Sequence, residues 1–116
     1  MAIIKFEDVK GWKKAQDLAV EIHAAFKGLK DFSFKDQIFR ASISISNNIA
    51  EGFDRQSNKE FIRFLYYALG SCSEIKSMLY LSYRLHYCNE ITMDSLLDHA
   101  NEISRILHGL INSMKE

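Results

Sequence analysis

The sequence has no proline, only five glycines, two cysteines and one tryptophan, and its formal net charge is zero. Lack of proline and scarcity of glycine argue against sandwiches and barrels, whose many tight turns draw on both. Two cysteines cannot build a disulfide framework. On one continuous helix, Cys72 and Cys88 would stand roughly 24 Å apart, too far to bridge. Both therefore read as reduced thiols, which fits a cytoplasmic protein. The opening stretch MAIIKFEDVKGW lacks the apolar core of a signal peptide. No apolar run nears the ~20 residues of a membrane span, so no membrane partner is expected. Fifteen basic residues balance fifteen acidic ones. That balance weighs against a dedicated nucleic-acid binder, which is usually basic overall, and it tolerates self-association.

What is present is helical periodicity. The chain has 116 residues, 47% of them hydrophobic, so one domain with a core of its own is expected. Four amphipathic segments span about 11–30, 33–55, 57–87 and 92–114. The first carries the row Trp12, Ala15, Ala19, Ile22 and Phe26, widened by Leu18. The second carries Ile38, Ala41, Ile45, Ile49 and Phe53. Its stretch SISIS alternates like a strand, yet the flanking rows keep the helical period and no partner strand exists. The third carries Phe61, Leu65, Ala68, Cys72, Ile75 and Leu79, with Phe64, Tyr67, Met78, Leu81 and Leu85 broadening the apolar surface. That breadth exceeds one bundle seam and suggests a second contact surface. The fourth carries Leu96, Ala100, Ile103, Leu107, Leu110 and Met114. Expected N-caps are Ser33 with Asp36, Ser57 with Glu60, and Thr92 with a staple from Ile91 to Leu96. The fold class is all-α: an up-down-up-down, left-handed four-helix bundle.

No constellation for catalysis appears. A bundle di-metal site needs Glu-x-x-His, and no glutamate here has a histidine three residues later. His23, His86, His99 and His108 are scattered, so no metal ligand set, cofactor or catalytic residue is assigned. Ser42, Ser44 and Ser46 lack a glycine-flanked elbow, and Gly52 and Gly70 are isolated rather than part of a phosphate loop. No small-molecule substrate is evident. Two sets of polar residues remain. Arg40, Asn48, Glu51, Gly70, Ser71 and Glu74 fall on facing stripes of the second and third helices. They read as an inter-helix network, with Gly70 allowing close backbone approach. The basic candidates for nucleic acid are Lys13, Lys14, Arg40, Arg55, Lys59, Arg63 and Arg84, each with an acid nearby.

Residues 37–74 also carry a resemblance. Gln37-Ile38, Arg40-Ala41, Ser44-Ile45, Asn48-Ile49-Ala50-Glu51-Gly52 and Arg55 match Q-I-x-R-A-x-x-S-I-x-x-N-I-A-E-G-x-x-R. Lys59-Glu60-Phe61, Phe64-Leu65, Ala68, Gly70-Ser71 and Glu74 continue the pattern, and Trp12, Ala15, Leu18 and Ala19 look like its first helix. The chain resembles the 23S ribosomal RNA intervening-sequence proteins, relatives of the accessory variability protein of diversity-generating retroelements. The resemblance implies a four-helix bundle assembling as a homopentameric ring, without enzyme activity, and binding of RNA or another nucleic acid. A scaffold for another protein is the alternative. The run Ile45-Ser46-Asn47 departs from relatives that hold proline before the Asn-Ile-Ala-Glu-Gly core, and the zero net charge departs from basic nucleic-acid-binding relatives.

Overall fold

The computed structural model describes residues 5–115. The apolar opening at 1–4 lies outside the described residues. A short 3-10 turn, Phe6–Asp8, precedes four helices: α1 Trp12–Phe26, α2 Phe32–Phe53, α3 Asn58–Arg84 and α4 Glu90–Met114. No strand forms among the described residues. Each helix packs on its neighbours in a closed cycle, α1 on α2, α2 on α3, α3 on α4 and α4 on α1, and among the described residues no backbones approach closely across either diagonal. Short links and that cycle define the up-down-up-down four-helix bundle. It measures 44 × 20 × 19 Å, about the length of α3 itself at 1.5 Å per residue.

The seams follow the rows in the sequence. Ile38, Ala41, Ile45 and Ile49 of α2 are buried, as are Leu65, Ala68, Cys72, Ile75 and Leu79 of α3. Residues of SISIS continue the helix. Ser42 donates to the Phe39 carbonyl at 2.6 Å and Ser46 to the Ile43 carbonyl at 3.3 Å. Those back-bonds satisfy two buried hydroxyls inside the core. In α1 the buried row runs through Ala15, Leu18, Ile22 and Phe26, with Ala19 and Trp12 only partly buried. In α4 Ile111 is buried while Leu110 and Met114 are half-buried. Both shifts reflect the drift of a 3.6-residue helix against a seven-residue repeat.

The helix starts differ from the expected caps at two places. Asp31, not Ser33, caps α2: its Oδ1 accepts the Phe34 N–H at 3.1 Å. This start puts Phe34 in the core against Phe26 and Tyr87. Asp36 is one turn further on and pairs with Arg40 instead. Asn89, not Thr92, caps α4, its Oδ1 accepting the Thr92 N–H at 2.8 Å. That earlier start buries Met93 and leaves Ile91 81% exposed, so Ile91 makes no staple. Ser57 does cap α3, accepting the Glu60 N–H at 3.2 Å.

α3 ends three residues before the expected Tyr87. His86 takes a left-handed conformation, φ 63°. The Tyr87 N–H then reaches the Ser82 carbonyl at 2.7 Å and the His86 N–H reaches Tyr83 at 3.0 Å. This is a Schellman C-cap with histidine at the position glycine usually holds. It aims the Tyr87 hydroxyl at Asp31 Oδ2, 2.7 Å away. Residue 87 thereby ties the α3–α4 turn to the α1–α2 turn.

Candidate functional site

The polar stripes of α2 and α3 meet, but not in the arrangement expected. Asn48 Nδ2 donates to the Ser44 carbonyl at 2.8 Å and to Ser44 Oγ at 2.9 Å. Ser71 Oγ crosses from α3 to the same Ser44 Oγ at 3.1 Å. One turn away, Gln37 donates to Glu74 at 3.2 Å. Arg40 turns along its own helix to Asp36, Nε to Oδ2 2.7 Å. Glu51 is exposed. The inter-helix network is thus a serine–asparagine–serine node with a glutamine–glutamate bridge, rather than a set of paired charges. Gln37, Arg40, Ser44, Ser71 and Glu74 line a shallow polar hollow of about 560 Å³.

Gly70 does not provide the close approach within the chain. A Cβ there would meet nothing within 4 Å. Gly52 provides it instead: a Cβ on Gly52 would stand 2.6 Å from the Phe64 Cβ and 3.1 Å from the Phe61 ring. Both glycines lie in helices, and only the facing element distinguishes them.

The basic candidates do not gather on one face. Lys13 pairs with Asp17 at 3.1 Å, Lys14 with Glu102 at 3.3 Å, Arg40 with Asp36 and Arg63 with Glu60 at 3.7 Å. Arg84 sits at the opposite end of α3 from Lys59. Arg55, Lys59 and Arg63 lie at or just after the α2–α3 turn, where Arg55 and Arg63 rest against aromatic rings. The Arg55 guanidinium lies 4.6 Å over the Phe64 ring. Arg63 lies 5.6 Å over Tyr67 and donates to its hydroxyl at 2.6 Å. The Tyr67 hydroxyl, more than the Glu60 charge, raises the Arg63 pKa and holds it protonated.

Apolar exposure is concentrated on α3. Tyr66, Tyr67, Tyr80, Leu81 and Leu85 are each at least 44% exposed. They share the solvent side of the helix with the small residues Gly70, Ser73 and Ser77. Their 3- and 4-residue spacing marks one helical face. Phe64 is half-buried and Met78 buried, so the surplus apolar surface of the sequence divides between core and exterior.

No group of three His, Cys, Asp or Glu that could hold a metal occurs among the described residues. Cys72 and Cys88 are free. Burial pushes the Cys72 thiol up to about 11, which keeps it a neutral core residue. No described helix is long and apolar enough to cross a membrane.

The family model described as 23S rRNA-intervening sequence protein matches residues 7–109. The chain belongs to that family. A solved structure of a protein of unknown function from the S23 ribosomal protein family of Bacteroides thetaiotaomicron is similar to it. That structure shares 30% identity and a TM-score of 0.83, covering 87% of this chain and 97% of the other. No match emerges among curated proteins. Within the 23S rRNA-intervening sequence proteins, this chain's matched segment includes the Ser44–Asn48–Ser71 node and all of α3.

Proposed function

We propose that the chain is a non-enzymatic, self-associating binding module whose ligand is RNA or another nucleic acid, working in the cytoplasm. The observation that carries the self-association is the outer face of α3. Tyrosine and leucine side chains 44–57% exposed, separated by a waist of small residues, form an apolar strip of the kind that marks an interaction surface. Tyrosine suits such a surface because its ring buries area and its hydroxyl keeps a polar contact. The family resemblance adds the number five, a closed ring. The family's name supplies the RNA. The turn bearing Arg55, Lys59 and Arg63 beside Phe64 and Tyr67 supports that reading, since cations and aromatic faces together hold unpaired bases.

Light scattering on purified protein tests the assembly. The expected mass is a fivefold multiple of the 13.4 kDa chain, falling to monomer for Tyr80→Glu with Leu81→Glu. A monomeric wild type overturns it. Salt-titrated binding of ribosomal RNA fragments tests the ligand. Expected affinity falls with salt and weakens on Arg55→Ala with Lys59→Ala, whereas no binding at low salt overturns it. A protein scaffold is the second reading. It is favoured by the four candidate cations already paired with carboxylates and by the zero net charge.

A further inference from the structure

An apolar opening of about 490 Å³ lies away from the α2–α3 seam, between the end of α1 and the start of α2. That volume is in the range of small-molecule sites. Its floor is core: Ile22, Phe26 and Ile38 are buried at its base. Its walls are aromatic. Phe39 is half-buried, its ring tilted at 55° to the His23 ring with centroids 5.3 Å apart. Phe32 stands at the rim, 70% exposed.

The charges around this opening are unequal. Lys27 and Lys35 are both at the rim. The Lys35 ammonium rests 4.7 Å over the Phe32 ring and donates to the Lys27 carbonyl at 3.3 Å. That leaves it two further N–H donors. Neither lysine forms an ion pair among the described residues. The one carboxylate among the described residues at the rim, Asp36, is already held by Arg40 at 2.7 Å. The His23 ring completes the rim. An apolar floor and aromatic walls therefore sit under two uncompensated cations. We infer that this opening binds a small amphipathic carboxylate. Its apolar body covers Phe39 and Phe32, and its head group takes the Lys27 and Lys35 ammoniums.

Phe32 explains why such a ligand is favoured over bare water. A large aromatic ring left in solvent beside an ammonium gains burial only when something apolar lies against it. Charge decides the sign of the head group. An ammonium there would meet two like charges, while a carboxylate meets two partners.

Titration of the whole protein with octanoate, kept below its micellar concentration, tests this by calorimetry and by amide chemical shifts. Octylammonium serves as the charge-reversed control. Saturable one-to-one binding of octanoate is expected, with amide shifts clustered at residues 22–39. Each lysine at the rim contributes roughly up to fivefold, so Lys27→Gln with Lys35→Gln should weaken octanoate severalfold, up to about 25-fold, while melting stays unchanged. Phe32→Ser, at a position too exposed to matter for folding, should weaken it as well. Equal affinity for octylammonium overturns the inference. So does binding indifferent to the lysine pair, or shifts centred on the outer face of α3.

Discussion

Gly52 is the glycine of α2 whose missing side chain makes room for Phe61 and Phe64 of α3. Replacing it with alanine places a methyl carbon 2.6 Å from the Phe64 Cβ. That neighbour is anchored to the α3 backbone and cannot swing aside. Gly52→Ala is therefore expected to destabilise the bundle by about 1–3 kcal/mol, the cost of an overpacked contact. Gly70→Ala is expected to leave stability unchanged or slightly raised, because the new methyl meets nothing and alanine favours helix. Thermal melting of the two variants side by side checks both statements. A reading of the sequence alone assigns the close approach to the wrong glycine of this pair. Each is flanked by helix formers, and local spacing carries no record of what faces a residue. Asn48 and Ser71 are legible because each sits on a polar stripe and opposed stripes must satisfy each other, whereas the Ser44 hydroxyl that joins them is not among the residues the sequence assigns to that network.

At the level of whole helices, the buried rows of α2 and α3 were readable because residues such as Ile38, Ile45, Leu65 and Cys72 repeat with the period of the helix itself. Helix starts were less readable. Ser33 and Asp31 lie two positions apart, and both residue types cap well. The choice falls to Asp31 because it puts Phe34 among Phe26 and Tyr87, a tertiary gain invisible to a local pattern. The same rule selects Asn89 over Thr92, since starting at Glu90 buries Met93. Asn89→Ala is accordingly expected to lower stability by about 1 kcal/mol through loss of the cap. Thr92→Ala, which removes only a side chain inside the first turn, should change it by less than half that. Chemical denaturation with an unchanged slope distinguishes lost stability from altered compactness.

On the scale of the molecule, one end of the bundle is closed by the contact between Tyr87 and Asp31. The Tyr87 hydroxyl, and after it the Phe34 amide, hold the Asp31 carboxyl below its ordinary 3.8. The same bond raises the Tyr87 phenol above 10. The signs run opposite ways. A depressed carboxyl contributes stability above its unfolded pKa, and that contribution is lost as pH falls through the folded value. A raised phenol contributes below its unfolded pKa, and that contribution is lost as pH rises through the folded value. The contact should thus hold between about pH 4 and pH 10 and loosen at either extreme. Tyr87→Phe should move Asp31 back up toward 3.8 in a carbon-detected NMR titration and remove the alkaline limb. An Asp31 titration identical in the variant would show that the hydroxyl does not carry the shift.

The four sides of the bundle are not equally joined. α2 and α3 meet most extensively and are linked by a short turn, while α1 and α4 meet least although they come from opposite ends of the sequence. Across that side run the contacts of His99 with Glu21 at 2.6 Å and of Lys14 with Glu102. Both are at the surface, where such pairs contribute little. The barrel of helices therefore has a seam in the tailor's sense. Local contacts are expected to fasten the α2–α3 hairpin early and the α1–α4 edge to close last, so amide exchange should find its weakest protection along that edge.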